Sequence, residues 1–553
     1  MTRFFPTRRP ADGPRGGAHP ARSILYSSLW MASAGNLALG QALHRAQLLD
    51  GWRGAGFALG FALAIAAVMA LLLSLVAWRV TYKPVLTALL LATAFGAYFM
   101  LSYGVVIDST MMINVLQTDL RETRDLLSLR MLLTVLLLAG LPIWLLWRRP
   151  IAWPHWSRQL RNNLLGVVAA LAVLAAALLA IFQPLAASMR NHHELRYLVN
   201  PLNSLYALGQ LVAPARRGGP RTLQPLGQDA TLANAAPARP PLLLLVLGET
   251  ARADHFTLNG YARPTTPELG TLEVFSQRQA FSCGTSTAAS VPCMFSHLGR
   301  EAYGQRAQDH ETLVDVLQHA GLAVLWLDNQ AGCKGVCDRV PNVNTSALKH
   351  PVLCPDGECF DEILLDGLDQ RIAALPAERR ARGIVLVWHQ MGSHGPAYHL
   401  RSPAAFKRFQ PECRSAALQD CQREEVVNAY DNSIAYTDHL LAGAIRWLEG
   451  QAAGHDTALL YVSDHGESLG ENNLYLHGLP YAIAPDAQKH VPWIGWFSPG
   501  FRQSTGLDAA CLRQGQDLPL SHDQYFHSVL GLMGVQTSAY RADWDFYRRC
   551  RKP

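Results

Sequence analysis

The chain has 553 residues, more than one ordinary domain holds, and half of them are hydrophobic against 16% charged. Its formal net charge of +6 is scattered, with no basic stripe interleaved with aromatics, which argues against nucleic acid as a partner. Leu, Ala and Val dominate to about residue 190, and beyond about residue 240 the pattern is that of a soluble α/β protein.

Residues 1–22 carry Arg3, Arg8, Arg9, Arg15 and Arg22 among Pro and Gly and read as a basic tail. Further apolar stretches follow without a clear cleavage site, so the tail is not the start of a signal peptide. Five uncharged stretches come next, at residues 23–43, 54–78, 84–107, 131–147 and 164–189. Each is near the ~20 residues that cross a bilayer, and each is apolar all round. The fourth is short and contains Pro142. Five transmembrane helices are therefore expected over residues 23–189. With the N-terminus inside, Arg79, Lys83, Arg148, Arg149, Arg158, Arg161 and the tail outnumber the outer Arg45, Arg53, Arg121, Arg124 and Arg130. An odd number of spans then puts the second half outside. All ten cysteines lie from Cys283 to Cys550, which suits disulfides in an oxidising compartment. The simplest pairing joins neighbours: Cys283 with Cys293, Cys333 with Cys337, Cys354 with Cys359, Cys413 with Cys421, and Cys511 with Cys550. A zinc cluster at Cys333 and Cys337 is the competing reading, but no second close pair supplies its partners.

The outer loop at 108–130 is unusually polar. Its Asn114, Thr118 and Glu122 are spaced four apart and share one helix face, either a solvated surface or a patch for a lipid headgroup. Residues 190–240 read as a linker, with an interfacial helix at 195–211 and an extended Ala/Pro/Arg-rich part from 213. From residue 241 apolar runs alternate with helical patterns. Strands are expected at 242–247, 323–327, 384–388, 458–462 and 493–497, and helices at 311–320, 360–374 and 426–449. That alternation implies a largely parallel sheet covered by helices.

Glu249 follows the first of these strands, and Asp464 with His465 follows the fourth. Ligands in open α/β sheets gather beyond the carboxyl ends of strands. The window from Ser282 to Cys293 adds Thr285 and Thr287 between two cysteines. Two carboxylates, an imidazole and a hydroxyl make a ligand set for zinc. A threonine hydroxyl needs such activation to act as a nucleophile, and a helix start favours a phosphate in front of it. Phosphoryl-type transfer through a phosphothreonine is the chemistry that follows, though spacing leaves Thr285 and Thr287 both open.

The strings G-E-T-A-R from Gly248, S-C-G-T-S-T-A-A-S-V-P-C-M-F-S from Ser282, D-N-Q-A-G-C-K-G-V-C-D from Asp328, H-Q-M-G-S-H-G-P from His389 and S-D-H-G-E-S-L-G-E-N-N-L-Y-L-H-G from Ser463 resemble the lipid A phosphoethanolamine transferases. The resemblance covers nearly the whole chain apart from the basic tail. It implies a five-helix transmembrane domain in the bacterial inner membrane and a periplasmic α/β domain of the alkaline phosphatase/sulfatase type at 241–553. It implies Thr287 as nucleophile and Glu249, Thr287, Asp464 and His465 as zinc ligands. Lys334, His394 and His477 fall at positions implied to meet the phosphoethanolamine group or a second zinc, and Asn114, Thr118 and Glu122 at headgroup-contacting positions. Phosphatidylethanolamine is the implied donor and a lipid A phosphate the implied acceptor, with polymyxin resistance as the consequence; a monomer among membrane lipids is expected. His389, His399 and His490 receive no role. Transfer to another envelope glycan is the alternative. The C-x-P-x-R and S-x-P-x-R motifs of sulfatases are absent, since Cys283 is followed by Gly284 and Thr285. A sensor or transporter is disfavoured, as the spans hold almost no ionisable residues.

Overall fold

The structure, a computed structural model, describes residues 17–117, 120–218 and 222–552, with the side chains of 120–122, 193, 213–218 and 356 outside the description. The chain divides into two units. One comprises Met1–Asp108 with Ser128–Gly209, and the other Ser109–Leu127 with Gln210–Pro553.

Among the described residues of the first unit, four helices are long and apolar enough to cross a membrane: Gly51–Leu75, Tyr82–Tyr103, Leu129–Arg148 and Trp156–Asn191. The stretch at 23–43, read from sequence as one more span, is a broken helix. It runs as Pro20–Ser33, a 3₁₀ turn at Ala34–Asn36, then Leu37–Arg45. Asn36 causes the break: its buried amide donates to the carbonyls of Met31 and Asn200, offering the backbone an alternative to the helical ladder. Leu129–Arg148 stays continuous only through a π turn at Leu136–Gly140, which lies just ahead of Pro142, a residue with no N–H to give the preceding turn. The expected interfacial helix is split at Pro201 into a 3₁₀ turn, His193–Leu198, and a helix, Leu202–Gly218. Residues 213–218 are thus helical and not extended, because Ala and Arg sustain a helix once it is begun.

The second unit is built on eight strands: β1 Pro241–Gly248, β2 Val274–Phe281, β3 Ala323–Asp328, β4 Asn342–Asn344, β5 Ile384–His389, β6 Asp456–Ser463, β7 His490–Phe497 and β8 Leu520–Ser521. Their order across the sheet is β8-β2-β7-β6-β1-β5-β3-β4. β1 lies at the centre, parallel to both β5 and β6, and β7 is antiparallel to both its neighbours. Leu242 to Leu247 are buried on both faces, which is why this strand reads as an unbroken apolar run. Leu243, Leu245 and Leu247 join Trp326, Val385, Val387 and Leu460 in one core layer.

Helices cover the sheet. Leu313–His319 begins at a capping box of Thr312 and Asp315, and Arg423–Gln451 at one of Gln422 and Glu425. The helix expected at 360–374 is instead a 3₁₀ turn, Asp361–Leu364, and a short helix, Leu368–Ala373. Gly367, at φ +63°, separates them, since a left-handed residue cannot continue a helix. Strands β2, β4 and β8 had no sequence signal; Ser276, Gln277, Arg278 and Gln279 break up the apolar pattern of β2. The ten cysteines form five disulfides, Cys283–Cys293, Cys333–Cys337, Cys354–Cys359, Cys413–Cys421 and Cys511–Cys550.

Candidate active site

Glu249 emerges directly from β1, and Asp464 and His465 directly from β6, the strand paired to it. All three are fully buried, and their ligand atoms lie within 4.8 Å of one another. Thr287 is the first residue of the helix Thr287–Met294 and closes the cluster from a second direction. Its Oγ1 donates to Glu249 Oε1 at 3.0 Å and lies 3.4 Å from His465 Nε2. Thr285 is spent elsewhere, its hydroxyl donating to the Leu479 carbonyl at 2.6 Å. Tertiary structure therefore separates two threonines that spacing alone could not. The Cys283–Cys293 disulfide brackets the turn. His522, buried beneath it, accepts from the Cys283 N–H at 3.1 Å and donates from Nε2 to the Ser463 carbonyl at 3.0 Å. One imidazole thus ties the threonine turn to the end of β6.

The electrostatics of the cluster call for a cation. Burial and then the neighbouring Glu249 charge push the Asp464 carboxyl up. Burial also acts to raise Glu249, but His465 outweighs it and holds that carboxyl well below its usual range. Asp464 Oδ2 is buried without a hydrogen-bond partner. Two carboxylates crowded in a dry site, one with an oxygen that accepts no hydrogen bond and stands 3.3 Å from His465 Nε2, beside a hydroxyl, fit a divalent metal such as zinc.

A second group of side chains adjoins the first. The His477 ring is centred 4.2 Å from that of His465 and 5.8 Å from that of His394. Burial lowers both His394 and His477 to about 3, so both imidazoles are neutral, the form in which a ring nitrogen can take a cation. Glu467, which the sequence reading passed over although it sits in the S-D-H-G-E string, faces His477 Nδ1 at 3.2 Å, and burial raises its carboxyl to about 8. Lys334 is held at φ +53° inside the Cys333–Cys337 ring. Its Nζ donates to the Ala331 carbonyl at 3.1 Å rather than to the cluster.

The segment Ser109–Leu127 belongs to this unit. Met111 packs where any Cβ on Gly478 would stand, beside His477. Asp125 pairs with the buried Arg401, which also donates to the His394 carbonyl at 2.8 Å. Asn114 lies half-buried on the helix Ser109–Gln117, while Thr118 and the side chain of Glu122 lie outside the described residues.

Behind Glu249, Gln330 Nε2 donates to Oε2 at 3.0 Å, and His389 stands near with its Nδ1 3.0 Å from Asp328 Oδ2. Asp328, Gln330 and His389 lie in two of the strings read from the sequence, but nothing there showed that they meet, because the register of β3, β5 and β1 is what brings them together.

Apolar helices joined to an α/β unit with a threonine, two carboxylates and an imidazole at its strand ends define a membrane protein with a soluble sulfatase-class domain. Residues 241–535 match the sulfatase family model, and residues 65–215 that of the phosphoethanolamine transferases EptA/EptB. Phosphoethanolamine transferase EptA of Escherichia coli strain K12 is 40% identical over 480 residues, 85% of this chain and 86% of that one. Phosphatidylethanolamine transferase Mcr-1 of Escherichia coli is 38% identical over 483 residues, 85% of this chain and 87% of that one. The integral membrane lipooligosaccharide phosphoethanolamine transferase A (EptA) of Neisseria meningitidis superposes with a TM-score of 0.92 at 33% identity, covering 98% of this chain and all of that one. The chain belongs to the EptA family of phosphoethanolamine transferases.

Proposed function

We propose that the protein moves phosphoethanolamine from phosphatidylethanolamine to a phosphate group of lipid A by two displacements at Thr287. The observation that carries this is the Thr287 hydroxyl, 3.0 Å from Glu249 and 3.4 Å from His465, at the start of a helix. Glu249 orients the hydroxyl through its hydrogen bond, and the N-terminal turn of Thr287–Met294 favours an anionic phosphodiester in front of it. Oγ1 attacks phosphorus, the bond to the glycerol oxygen breaks, and diacylglycerol leaves with a proton. A phosphate oxygen of lipid A then displaces Thr287 from the phosphothreonine. Glu249, Thr287, Asp464 and His465 would hold zinc. Zinc bound there stabilises negative charge developing on phosphoryl oxygens and lowers the pKa of the threonine hydroxyl.

Neutral His394 and His477 suit the headgroup or a second zinc, and Lys334, on its covalent loop, suits a phosphate as a point charge. Asn114, Thr118 and Glu122 would meet the donor lipid. The proposed layout is a cytoplasmic tail at 1–22, an inner-membrane domain at 23–189, a periplasmic linker at 190–240 and a periplasmic catalytic domain at 241–553, in a monomer. An added amine offsets lipid A's negative charge and so lowers its attraction for polymyxin. Mass spectrometry of lipid A from cells expressing the protein or Thr287→Ala tests the reading. A phosphoethanolamine increment in the first alone is expected; none from folded, zinc-loaded protein would refute the lipid A assignment and direct the search to other envelope glycans.

A further inference from the structure

The two oxygens of Glu249 share the Thr287 hydroxyl, 3.0 Å from Oε1 and 3.2 Å from Oε2, and otherwise keep different company. Oε1 faces inward, 3.4 Å from His465 Nε2. Oε2 is met from behind by two groups that the proposed chemistry leaves unused. Gln330 Nε2 donates to it at 3.0 Å. His389 Nε2 stands 3.9 Å from it, at ion-pair range, with both side chains wholly buried and no hydrogen-bond partner on that nitrogen.

His389 is itself held. Its Nδ1 lies 3.0 Å from Asp328 Oδ2, which also accepts from Trp326 Nε1 at 2.9 Å. Asp328 Oδ1 accepts the backbone N–H groups of Gln330 and Gly332, each at 3.1 Å. Asp328 and His389 are register partners on β3 and β5, and His389 is in turn the partner of Leu247 on β1, two residues before Glu249. The sheet therefore fixes the imidazole beside the carboxylate. A histidine–aspartate pair buried beside Trp326 is costly to keep dry, and packing alone would be served as well by an apolar side chain of the same volume. The terminal torsion of a glutamate is broad and two-fold, so a carboxylate left untied would share its two oxygens between states.

We propose that Asp328, His389 and Gln330 form a positioning shell that clamps Glu249 Oε2, so that Glu249 presents Oε1 to the cation. This rests on the metal reading of the cluster. Partners of this kind around metal ligands typically change affinity by about 10–100-fold when removed.

The test is zinc affinity of the full chain in detergent, measured by competition with a chelator, for the unsubstituted protein and for His389→Leu, His389→Gln and Gln330→Leu, alongside thermal unfolding of each after metal stripping. His389→Leu and Gln330→Leu are expected to weaken zinc about tenfold or more. His389→Gln, which keeps an N–H near the position of Nε2, is expected to recover most of the loss. A merely structural role would lower the unfolding temperature of the stripped variants and leave zinc affinity unchanged, and that result overturns the proposal. Gln330 lies in a loop and carries the test if His389→Leu does not fold. An unsubstituted protein that binds no zinc would overturn the metal reading and the shell together, whereas zinc held equally by all four proteins would overturn the shell alone.

Discussion

Replacing Asp464 by Asn is expected to stabilise the metal-stripped protein and at the same time to destroy its capacity for metal. Asp464 is wholly buried beside Glu249, and burial first, then that like charge, lifts its carboxyl from 3.8 to about 7. A group whose native pKa is raised contributes stability below its unfolded value and loses that contribution as pH climbs through the native one. Near pH 8 the stripped protein must therefore hold Asp464 ionised, at a cost of up to about 4 kcal/mol from about 1.36 kcal/mol per pH unit. Asn carries no such charge, and its Oδ1 can still accept from the N–H groups of Thr250 and His465, now bonded at 3.2 and 2.7 Å. At about 2 °C per kcal/mol for a unit of this size, the unfolding temperature should rise by up to about 8 °C. Near pH 5 the gap should shrink, because native Asp464 is then protonated. Zinc at about 100 times its Kd adds about 2.7 kcal/mol to the unsubstituted protein and little to the variant, so the variant's lead near pH 8 should fall to about 1 kcal/mol. The assay is thermal unfolding of the full chain in detergent, chelated and zinc-loaded, at both pH values. A stripped Asp464→Asn that melts below the stripped unsubstituted protein near pH 8 would refute the argument.

Thr287→Val should abolish transfer and Thr285→Val should retain it, although each loses a buried hydrogen bond, to Glu249 and to Leu479, at a cost of about 1 kcal/mol; lipid A mass spectra separate the two and melting curves show the shared cost. Opening Cys511–Cys550, with its sequence separation of 39, should cost about 4 kcal/mol, seen in denaturant unfolding of a double Ser variant. Burial lowers His297 and His527 to about 4. Their native values lie below the unfolded 6.5, so the stability they lend is present above pH 6.5 and lost as pH falls towards 4; His297→Gln should flatten that acid limb in unfolding followed against pH.

Much of the fold was legible because burial leaves a mark on composition. A central parallel strand must be apolar on both faces, and Leu242 to Leu247 announce one. Membrane helices announce themselves by the same logic, yet the break in the helix at 23–43 was not visible. Hydropathy averages over Asn36, whose single amide bonds out of the helix and breaks it. β2 was hidden because Gln277 and Arg278 interrupt its pattern, and it is held in place by pairing with β7.

The sequence by itself determined the identity of the chemical groups and their placement at strand ends: Glu249 after β1, Asp464 and His465 after β6, and a threonine between nearby cysteines. Strand ends are local features, and local features are written in short strings. Tertiary structure decided which threonine faces the cluster, that Lys334 points back to Ala331, and that Gln330 and His389 stand behind Glu249. Those outcomes depend on sheet order and register, which bring residues 249, 330 and 389 within hydrogen-bond or ion-pair range of one carboxylate. Pairing across a sheet is a property of several segments at once, and no one segment carries it.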